Sequence, residues 1–568
     1  MPSLYPTNTG HQFRGLRFCR VLKRCCSHLV LGATVLLAVA MPITADAAGQ
    51  ASTPKAGAVN LFATSDNCIA CHNSLITPSG RDVSMGASWQ SSMMANSSRD
   101  PYWQASVRRE TMAHPGAAQS IQDECAACHM PMARYRAHTQ GAKGSVFAHL
   151  PVQDAQTPGN LLAADGVSCS MCHQIQADKL GTRESFVAGF VINNKKPLGQ
   201  RDIFGPYEVD GGRKRIMRSA TLMQPQQGKH VQESALCASC HTLYTHTRGP
   251  DGEVIGELPE QVPYLEWKHS AYYQNKSCQS CHMPQLDEEM EITSVMGQKR
   301  KNFSRHAFRG GNFLLPKMLN LHRQELGVTA LSQDLNQAAQ ETLAHLQQSS
   351  AHVRIGEVKH EGDRLTTEIL VENLAGHKLP TAYPSRRAWI RFTIKNAQGE
   401  VVFRSGDVSS DGAIKGNIND QDSREYEPHY EFIESAGQVQ IYEAIMADSQ
   451  GRVTTGLLEA LRFVKDNRLL PKGFDKDSAH EDIRVQGQAQ NDQNFAAPGD
   501  RVVYRVPLTE QEGPFKVTAE LLYQPIGYRW AHNLKEQKAN EIDRFVRYFE
   551  GMSQNSWTVL ATDKRIIE

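Results

Sequence analysis

What this chain of 568 residues lacks first is charge of one sign. Its 61 Lys and Arg offset 60 Asp and Glu, leaving a formal net charge of +1. A chain so balanced has no electrostatic means of holding a polyanion, and nucleic acid is not expected as a partner. Long apolar runs are also missing. Past the first fifty residues nothing approaches the ~20 apolar residues of a bilayer span, and the mean hydropathy of −0.47 is that of a soluble globular protein. Unpaired cysteine is missing too: outside the N-terminal region every cysteine belongs to a pair of one form. The length exceeds one ordinary core, so two or more domains are expected.

The N-terminus differs from the rest. Arg14, Arg17, Arg20, Lys23 and Arg24 precede the apolar run Leu29 to Ile43, and Ala45 and Ala47 then give a small-x-small site. Residues 1–47 read as a secretory signal peptide. An uncleaved anchor is the alternative, weakened by the shortness of the run and by Pro42 near its end. The remaining protein is expected in the periplasm, with membrane anchoring or an outer-surface position if the leader is retained.

Thirteen cysteines occur, three of them (Cys19, Cys25, Cys26) in the leader. The other ten form five CxxCH motifs: Cys68-Cys71-His72, Cys125-Cys128-His129, Cys169-Cys172-His173, Cys237-Cys240-His241 and Cys278-Cys281-His282. Chance would place such a motif in this composition about 0.01 times. Structural disulfides do not require a histidine after each pair, and zinc sites close with four ligands, into which five half-motifs do not divide evenly. Covalent haem attachment needs this arrangement directly: two thiols form thioethers with the vinyl groups and the adjacent imidazole reaches the iron. Five covalently attached c-type haems, with iron, are expected. Successive first cysteines stand 57, 44, 68 and 41 residues apart, which is no solenoid repeat.

What faces each proximal histidine decides function. A second imidazole closes the iron for electron transfer, whereas an open face can bind a small molecule. Of the 22 histidines, fifteen remain after the leader and proximal ones are removed. His114, His149, His230 and His306 lie near Gly or Pro within or beside the motif region and are candidate distal ligands. His138, His246, His269 and His322 are reserves. The six from His345 onward, apart from His377, read as ordinary surface or core histidines. Methionine raises the reduction potential when it ligates, but Met130 and Met132 follow their motif too closely, and packing is the expected role for them and for Met93 and Met94. The basic clusters Arg213 to Arg218 and Lys299 to Arg305 suit anionic propionates, or alternatively an acidic redox partner.

Past Cys281 the pattern changes. Apolar residues at helical spacing predict one helix over 327–348. Alternation in "HVRIGEVKH", "LTTEILVEN", Ile390 to Ile394, "VVFRSG", "VQIYEAIMA", "DRVVYRVPL" and Phe515 to Tyr523 then predicts about seven strands. The expected class is α + β multidomain: a mainly helical and irregular multihaem domain over 48–325, a connecting helix over 326–350, an antiparallel β-sandwich-like domain over 351–530, and a helical tail over 531–568. In "AGHKLPTAYPSRRAW", His377 sits on a Gly- and Pro-containing loop with Arg386 and Arg387 nearby. It reads either as a turn-capping histidine or as a fifth candidate distal ligand reaching into the haem region.

These residues resemble a family. The five CxxCH motifs, "GVSCSMCHQ", "SCQSCHMP" and "RHAFRGGNF" are similar to exported bacterial multihaem c-type cytochromes, the relatives being the tetrahaem cytochrome of ammonia oxidisers and the pentahaem nitrite reductases. "GHKLPTAYPSRRAW", "DNRLLPKGF" and "LLYQPIGYRWAHNL" look like a subgroup with an appended β-domain. The resemblance implies closely stacked haems with mostly bis-histidine ligation. One departure matters: the nitrite reductases carry a lysine in place of one proximal histidine, and no CxxCK exists here. Electron transfer without catalysis is the favoured expectation, serving redox partner proteins such as quinol-oxidising or terminal reductase components. A reductase of nitrogen or sulfur oxyanions at one open haem, or an outer-surface electron conduit, are the alternatives. Protein matured in a host that attaches haem covalently should carry five haems per chain by pyridine haemochrome assay. Replacing Cys169 and Cys172 with Ser should leave four, and a chelator should remove none.

Overall fold

Proline punctuates the motif-bearing half and keeps its helices short. The helix Pro101–Ala113 begins on Pro at its first position, and the Asp100 carboxylate caps it by accepting from the Tyr102 and Trp103 amides at 2.9 and 3.1 Å. It ends at His114, whose following Pro115 disfavours further helix. The next helix, Ala118–His129, ends on a motif histidine, and Pro131 follows one residue later. Cys278–His282 stops in the same way before Met283 and Pro284. Each of these prolines thus turns the chain away directly behind a ring that must stay accessible.

The computed structural model describes residues 61–568 apart from 198 and 510, all within the compact unit Ala58–Glu568. The leader, its cleavage site and Cys19, Cys25 and Cys26 lie outside the described residues. No described helix is long and apolar enough to cross a membrane.

In the second half the alternating segments form two main sheets. The strands are β1 (Ala351–Glu361), β2 (Arg364–Asn373), β3 (Arg387–Lys395), β4 (Val401–Ser405), β5 (Phe432–Ile433), β6 (Ile441–Tyr442), β7 (Gly499–Pro507), β8 (Phe515–Gln524) and β9 (Thr558–Ile567). One sheet runs β4-β3-β8-β9, with β6 also on β3, and the other runs β5-β7-β2-β1. Every pair is antiparallel except β5 with β7. Ile390, Phe392 and Ile394 of β3 share a buried core with Val502, Tyr504 and Val506 of β7. Phe392 stacks on Tyr504 with centroids 4.2 Å apart. On the opposite face of β3, Trp389 joins Ile414, Val439, Ile441 and Leu522 in a smaller cluster. That explains why β3 is buried on both faces over most of its length.

Three expectations change. The helix predicted over 327–348 runs from Ser332 to Ser349, because Gly327 takes φ +62 against Gln153, a conformation no helix continues through. "VQIYEAIMA" is two strands, β6 and Ala444–Asp448, which enter different sheets. The tail is not helical to its end: after Asn540–Glu550 the chain forms β9, paired with β8 from Phe515↔Ile567 to Tyr523↔Thr558. Its "TVLATDKRII" gains a full ladder of backbone hydrogen bonds there, which outweighs the weak helical signal of a charged segment.

The motif-bearing and strand-rich halves meet through specific contacts. The Arg248 amide donates to the Leu458 carbonyl at 2.6 Å, and the Tyr523 hydroxyl donates to the Gly311 carbonyl at 2.7 Å. The helix Asn540–Glu550 buries Ile542, Phe545, Tyr548 and Phe549. Phe545 packs on Tyr102 at 5.0 Å, while Arg108 grips Glu541 through two bonds of 2.9 Å. Phe392 is 0% exposed at the centre of the sheet-to-sheet core. Phe392→Ala should therefore cost about 3–5 kcal/mol, read from the guanidinium denaturation midpoint.

Candidate metal centres

Four of the CxxCH motifs sit on a helix with the histidine at or just past its end, while at motif 1 the helix Asp66–Ile69 carries only Cys68, and Cys71 and His72 follow it. What aims the rings is remote backbone. His72 Nδ1 donates to the Ile292 carbonyl at 2.7 Å, His129 Nδ1 to Ser97 at 3.0 Å, His173 Nδ1 to Phe204 at 2.5 Å, and His282 Nδ1 to Arg309. A carbonyl only accepts, so the proton lies on Nδ1 and Nε2 keeps its lone pair. Such a partner on the second nitrogen is the usual companion of a ligating histidine. Burial lowers the pKa values of His129 and His241 to about 4 and depresses those of His173 and His282, which keeps the rings neutral.

Two motif histidines face a second imidazole. His173 and His306 have ring centroids 6.3 Å apart and planes 24° from parallel. His282 and His377 are 6.2 Å apart and 12° from parallel. Metal–imidazole bonds of about 2.0 Å on each side of one ion place ring centres about 6.3 Å apart, so both pairs have the spacing of two trans ligands on one metal. His377 Nδ1 donates to the Lys378 carbonyl at 2.9 Å, which again leaves Nε2 free. Burial lowers the His306 pKa to about 3.

The other candidates are placed differently. His114 is 7% exposed and its Nε2 has no partner within the protein. His149 Nδ1 contacts Asn160 Oδ1 at 2.7 Å, and His230 Nε2 donates to the Ile175 carbonyl at 2.9 Å. None of these three rings packs against a motif histidine; His129 instead lies flat against Trp103, 4.3 Å away and 2° from parallel. Among the reserves, His138 bonds Asp123, His269 bonds the Asp475 carbonyl, and His322 stacks on Tyr548. Met130 and Met132 are 0% exposed in an apolar cluster with Phe62, Val107, Leu162 and Phe190, which is packing.

Sequence reasoning passed over His345. Its ring lies 6.0 Å from that of His282, at 64°, and burial lowers its pKa to about 4. It stands on the helix Ser332–Ser349 one turn after Glu341, which holds Arg305 at 3.0 and 3.2 Å and Arg309 at 3.0 Å. A histidine four residues beyond an Arg-binding glutamate was the available signal.

The charges near these rings are informative. Arg201 is 1% exposed, its Nη1 donates to the Asn193 carbonyl at 3.1 Å, and its Nε and Nη2 find no partner within the protein. A buried cation with spare donors fits an anionic group, as a propionate would provide. Arg386 lies close enough to depress the pKa values of His241, His282 and His377, though burial or a neighbouring ring acts first. Arg387, next to it in sequence, is committed elsewhere. It is buried against Asp420 through bonds of 2.8 and 2.9 Å and bonds Gln524 at 2.9 Å.

The ten described cysteines form no disulfide. Thiols of different motifs meet instead: Cys68 with Cys169, Cys128 with Cys240, and Cys237 with Cys278. Motif 1 thus adjoins motif 3, and motif 4 adjoins both 2 and 5. Burial pushes the Cys172 thiol up to about 12 and that of Cys125 higher, whereas hydrogen bonding to a neighbouring thiol lowers those of Cys68, Cys240 and Cys278. Among the described residues one trio of ligand-type groups converges, His429, Asp492 and Asp500. His429 Nε2 donates to Asp492 while Nδ1 accepts from Gln440 at 2.8 Å and Asn467 at 3.1 Å, so the trio is a closed hydrogen-bond network.

No protein-family model matches the chain, and no curated protein matches it. Among solved structures the chain is similar to a penta-heme cytochrome c552 from Thermochromatium tepidum, with a TM-score of 0.52 and 15% identity. The match covers 90% of this chain and all of the other. At that identity the likeness is one of fold.

Beside motif 2, Glu260 is buried and its pKa is raised to about 7 from 4.5, burial being the cause. Between those values the folded protein holds a proton that the unfolded chain has lost. Glu260 therefore contributes less stability as pH rises from about 4.5 to 7. The thermal midpoint of wild type relative to Glu260→Gln should fall across that window and be flat below it.

Proposed function

We propose that the protein is an exported multihaem c-type cytochrome carrying five covalently attached haems and transferring electrons between redox partner proteins, not making or breaking bonds in a substrate. The observation that carries this reading is the pairing of His173 with His306 and of His282 with His377 at 6.3 and 6.2 Å. Two neutral imidazoles at the spacing of one iron, one from a CxxCH and one from a remote loop, have no evident purpose as packing. The orphaned donors of Arg201 and the likeness in fold to a pentahaem cytochrome add support.

A haem bound at a motif supplies a one-electron iron couple. The chain's own residues do the rest. Cys68, Cys71, Cys125, Cys128, Cys169, Cys172, Cys237, Cys240, Cys278 and Cys281 would anchor the macrocycles. His72, His129, His173, His241 and His282 would hold the irons, with His306 and His377 as second ligands for two of them. A face closed by a second imidazole excludes small ligands, which suits transfer without chemistry. The meeting of thiols between motifs 1 and 3, 2 and 4, and 4 and 5 brings the attachment edges into contact. Export to the periplasm follows from the leader and from the fact that c-type haem is attached after export. Partners on this reading are quinol-oxidising or terminal reductase components.

A second reading, reduction of a nitrogen or sulfur oxyanion at one open haem, rests on the surroundings of motif 2. There Trp103, and no second imidazole, covers the His129 ring, 4.3 Å away and 2° from parallel.

Electron paramagnetic resonance of the oxidised holoprotein separates the two. On the first reading, His306→Ala and His377→Ala each convert one low-spin haem to high-spin. A spectrum unchanged in both variants would remove the bis-histidine assignment. Wild-type protein with a high-spin haem and turnover on nitrite would favour the second reading.

A further inference from the structure

The loop that carries His377 is bolted down by charges buried where no solvent reaches. Glu266, from the helix Pro263–Lys268 ahead of motif 5, has a side chain 0% exposed. Its Oε2 accepts from the Lys378 amide at 3.1 Å and from the Thr381 hydroxyl at 2.5 Å. Its Oε1 faces Arg468 Nη1 at 3.0 Å. Arg468 forms two further bonds to Asp466, of 2.8 and 2.7 Å, and Asp466 Oδ2 accepts from Lys378 Nζ at 2.7 Å. Two cations and two anions thus form a chain of three ion pairs, every member under a tenth exposed, and the Lys378 amide bond to Glu266 closes it into a ring around residues 378–381.

The backbone on either side is held as well. Leu379 and Leu469 exchange amide-to-carbonyl bonds of 2.9 Å, and Asn373 Nδ2 donates to the His377 carbonyl at 2.8 Å and to that of Leu469 at 2.9 Å. The Tyr272 hydroxyl, six residues ahead of Cys278, donates to the Leu374 carbonyl at 2.9 Å. The phrases "GHKLPTAYPSRRAW" and "DNRLLPKGF" therefore supply two sides of one clamp. Its third side belongs to the segment leading into motif 5.

Burying four charges is expensive, and apolar side chains of similar volume commonly stabilise a fold as well or better. What such a network supplies that apolar packing does not is a single register. We infer that Glu266 and Thr381 are positioning residues for His377. They fix the loop 376–381 so that the imidazole faces that of His282, the two rings 6.2 Å apart, where both would hold one iron. The inference rests on the proposed role of His377 as an axial ligand. It adds that the docking of this loop, and not the presence of the histidine alone, sets the ligation of the fifth haem.

The test uses the purified holoprotein and two near-isosteric changes. Glu266→Gln removes one charge, and Thr381→Val removes one hydrogen bond while leaving all four ions in place. Both are compared with wild type and with His377→Ala by electron paramagnetic resonance and by potentiometric titration of each haem. Expected is a low-spin signal altered at one haem only, a shifted midpoint for that haem, and a rise of about tenfold in its high-spin fraction, the signature of a loop released from one register. His377→Ala should convert that same haem fully. If His377→Ala converts a haem while both other variants keep wild-type signals and midpoints, the network merely holds the fold and the inference is overturned. If His377→Ala leaves all haems low-spin, the ligand reading itself falls, and this inference with it. Should Glu266→Gln fail to accumulate, Thr381→Val decides alone.

Discussion

The hydrogen bond from a motif histidine's Nδ1 to a distant main-chain carbonyl is the interaction on which the rest of this structure depends. A CxxCH sequence fixes where a ring starts but not where it points, since the imidazole turns freely about two bonds. Ile292 is 220 residues from His72, and Ser97, Phe204 and Arg309 are 32, 31 and 27 residues from theirs. Each bond orients one ring and fixes one tautomer, and it is made only when the intervening chain has folded. The irregular loops of the first half follow from this requirement. They are backbone delivered to specific imidazoles, and the short helices between them end in proline where continued winding would carry that backbone past its target.

Legibility in the sequence divides along the same line. Features that depend on neighbours a few residues apart were readable. The five CxxCH motifs come from local spacing, and β1, β2, β3, β7 and β8 come from two-residue alternation. Features that depend on folding were not. His306 and His377 stood among five candidates of equal sequence character, and proximity to Gly or Pro could not tell them from His114, His149 and His230. His345 was passed over because its helix has a regular apolar face on which a histidine reads as ordinary. The last strand was missed because Thr558–Ile567 is short of apolar residues; its place in the sheet comes from backbone pairing with β8, which composition does not report.

The two arginines of "PSRRAW" show how sharply one position decides a role. Arg386 and Arg387 are adjacent and chemically identical, yet on a strand successive side chains point to opposite sides. Arg387 begins β3 and turns into a closed pocket of Asp420 and Gln524, where it is purely structural. Arg386, one residue before the strand, bonds the Thr381 carbonyl at 3.1 Å and lies among the imidazoles of motifs 4 and 5. Its charge there opposes protonation of those rings and stands ready for an anion.

The presence of a strand-rich half in the same compact unit has a physical reason in this geometry. Each CxxCH motif spans only five residues, so whatever faces its histidine has to come from elsewhere. For His282 it comes from some hundred residues downstream: His377 is 95 positions beyond it, and Lys378, Asp466 and Arg468 hold its loop. A loop alone would pay the full entropy of ordering each time it docked. The same loop strung between β2 and β3, with both strands locked in sheets sharing one core, is ordered by folding once. The sheets therefore serve His377 as a rigid mount, and the approach of its ring to that of His282 is as stable as the core behind it.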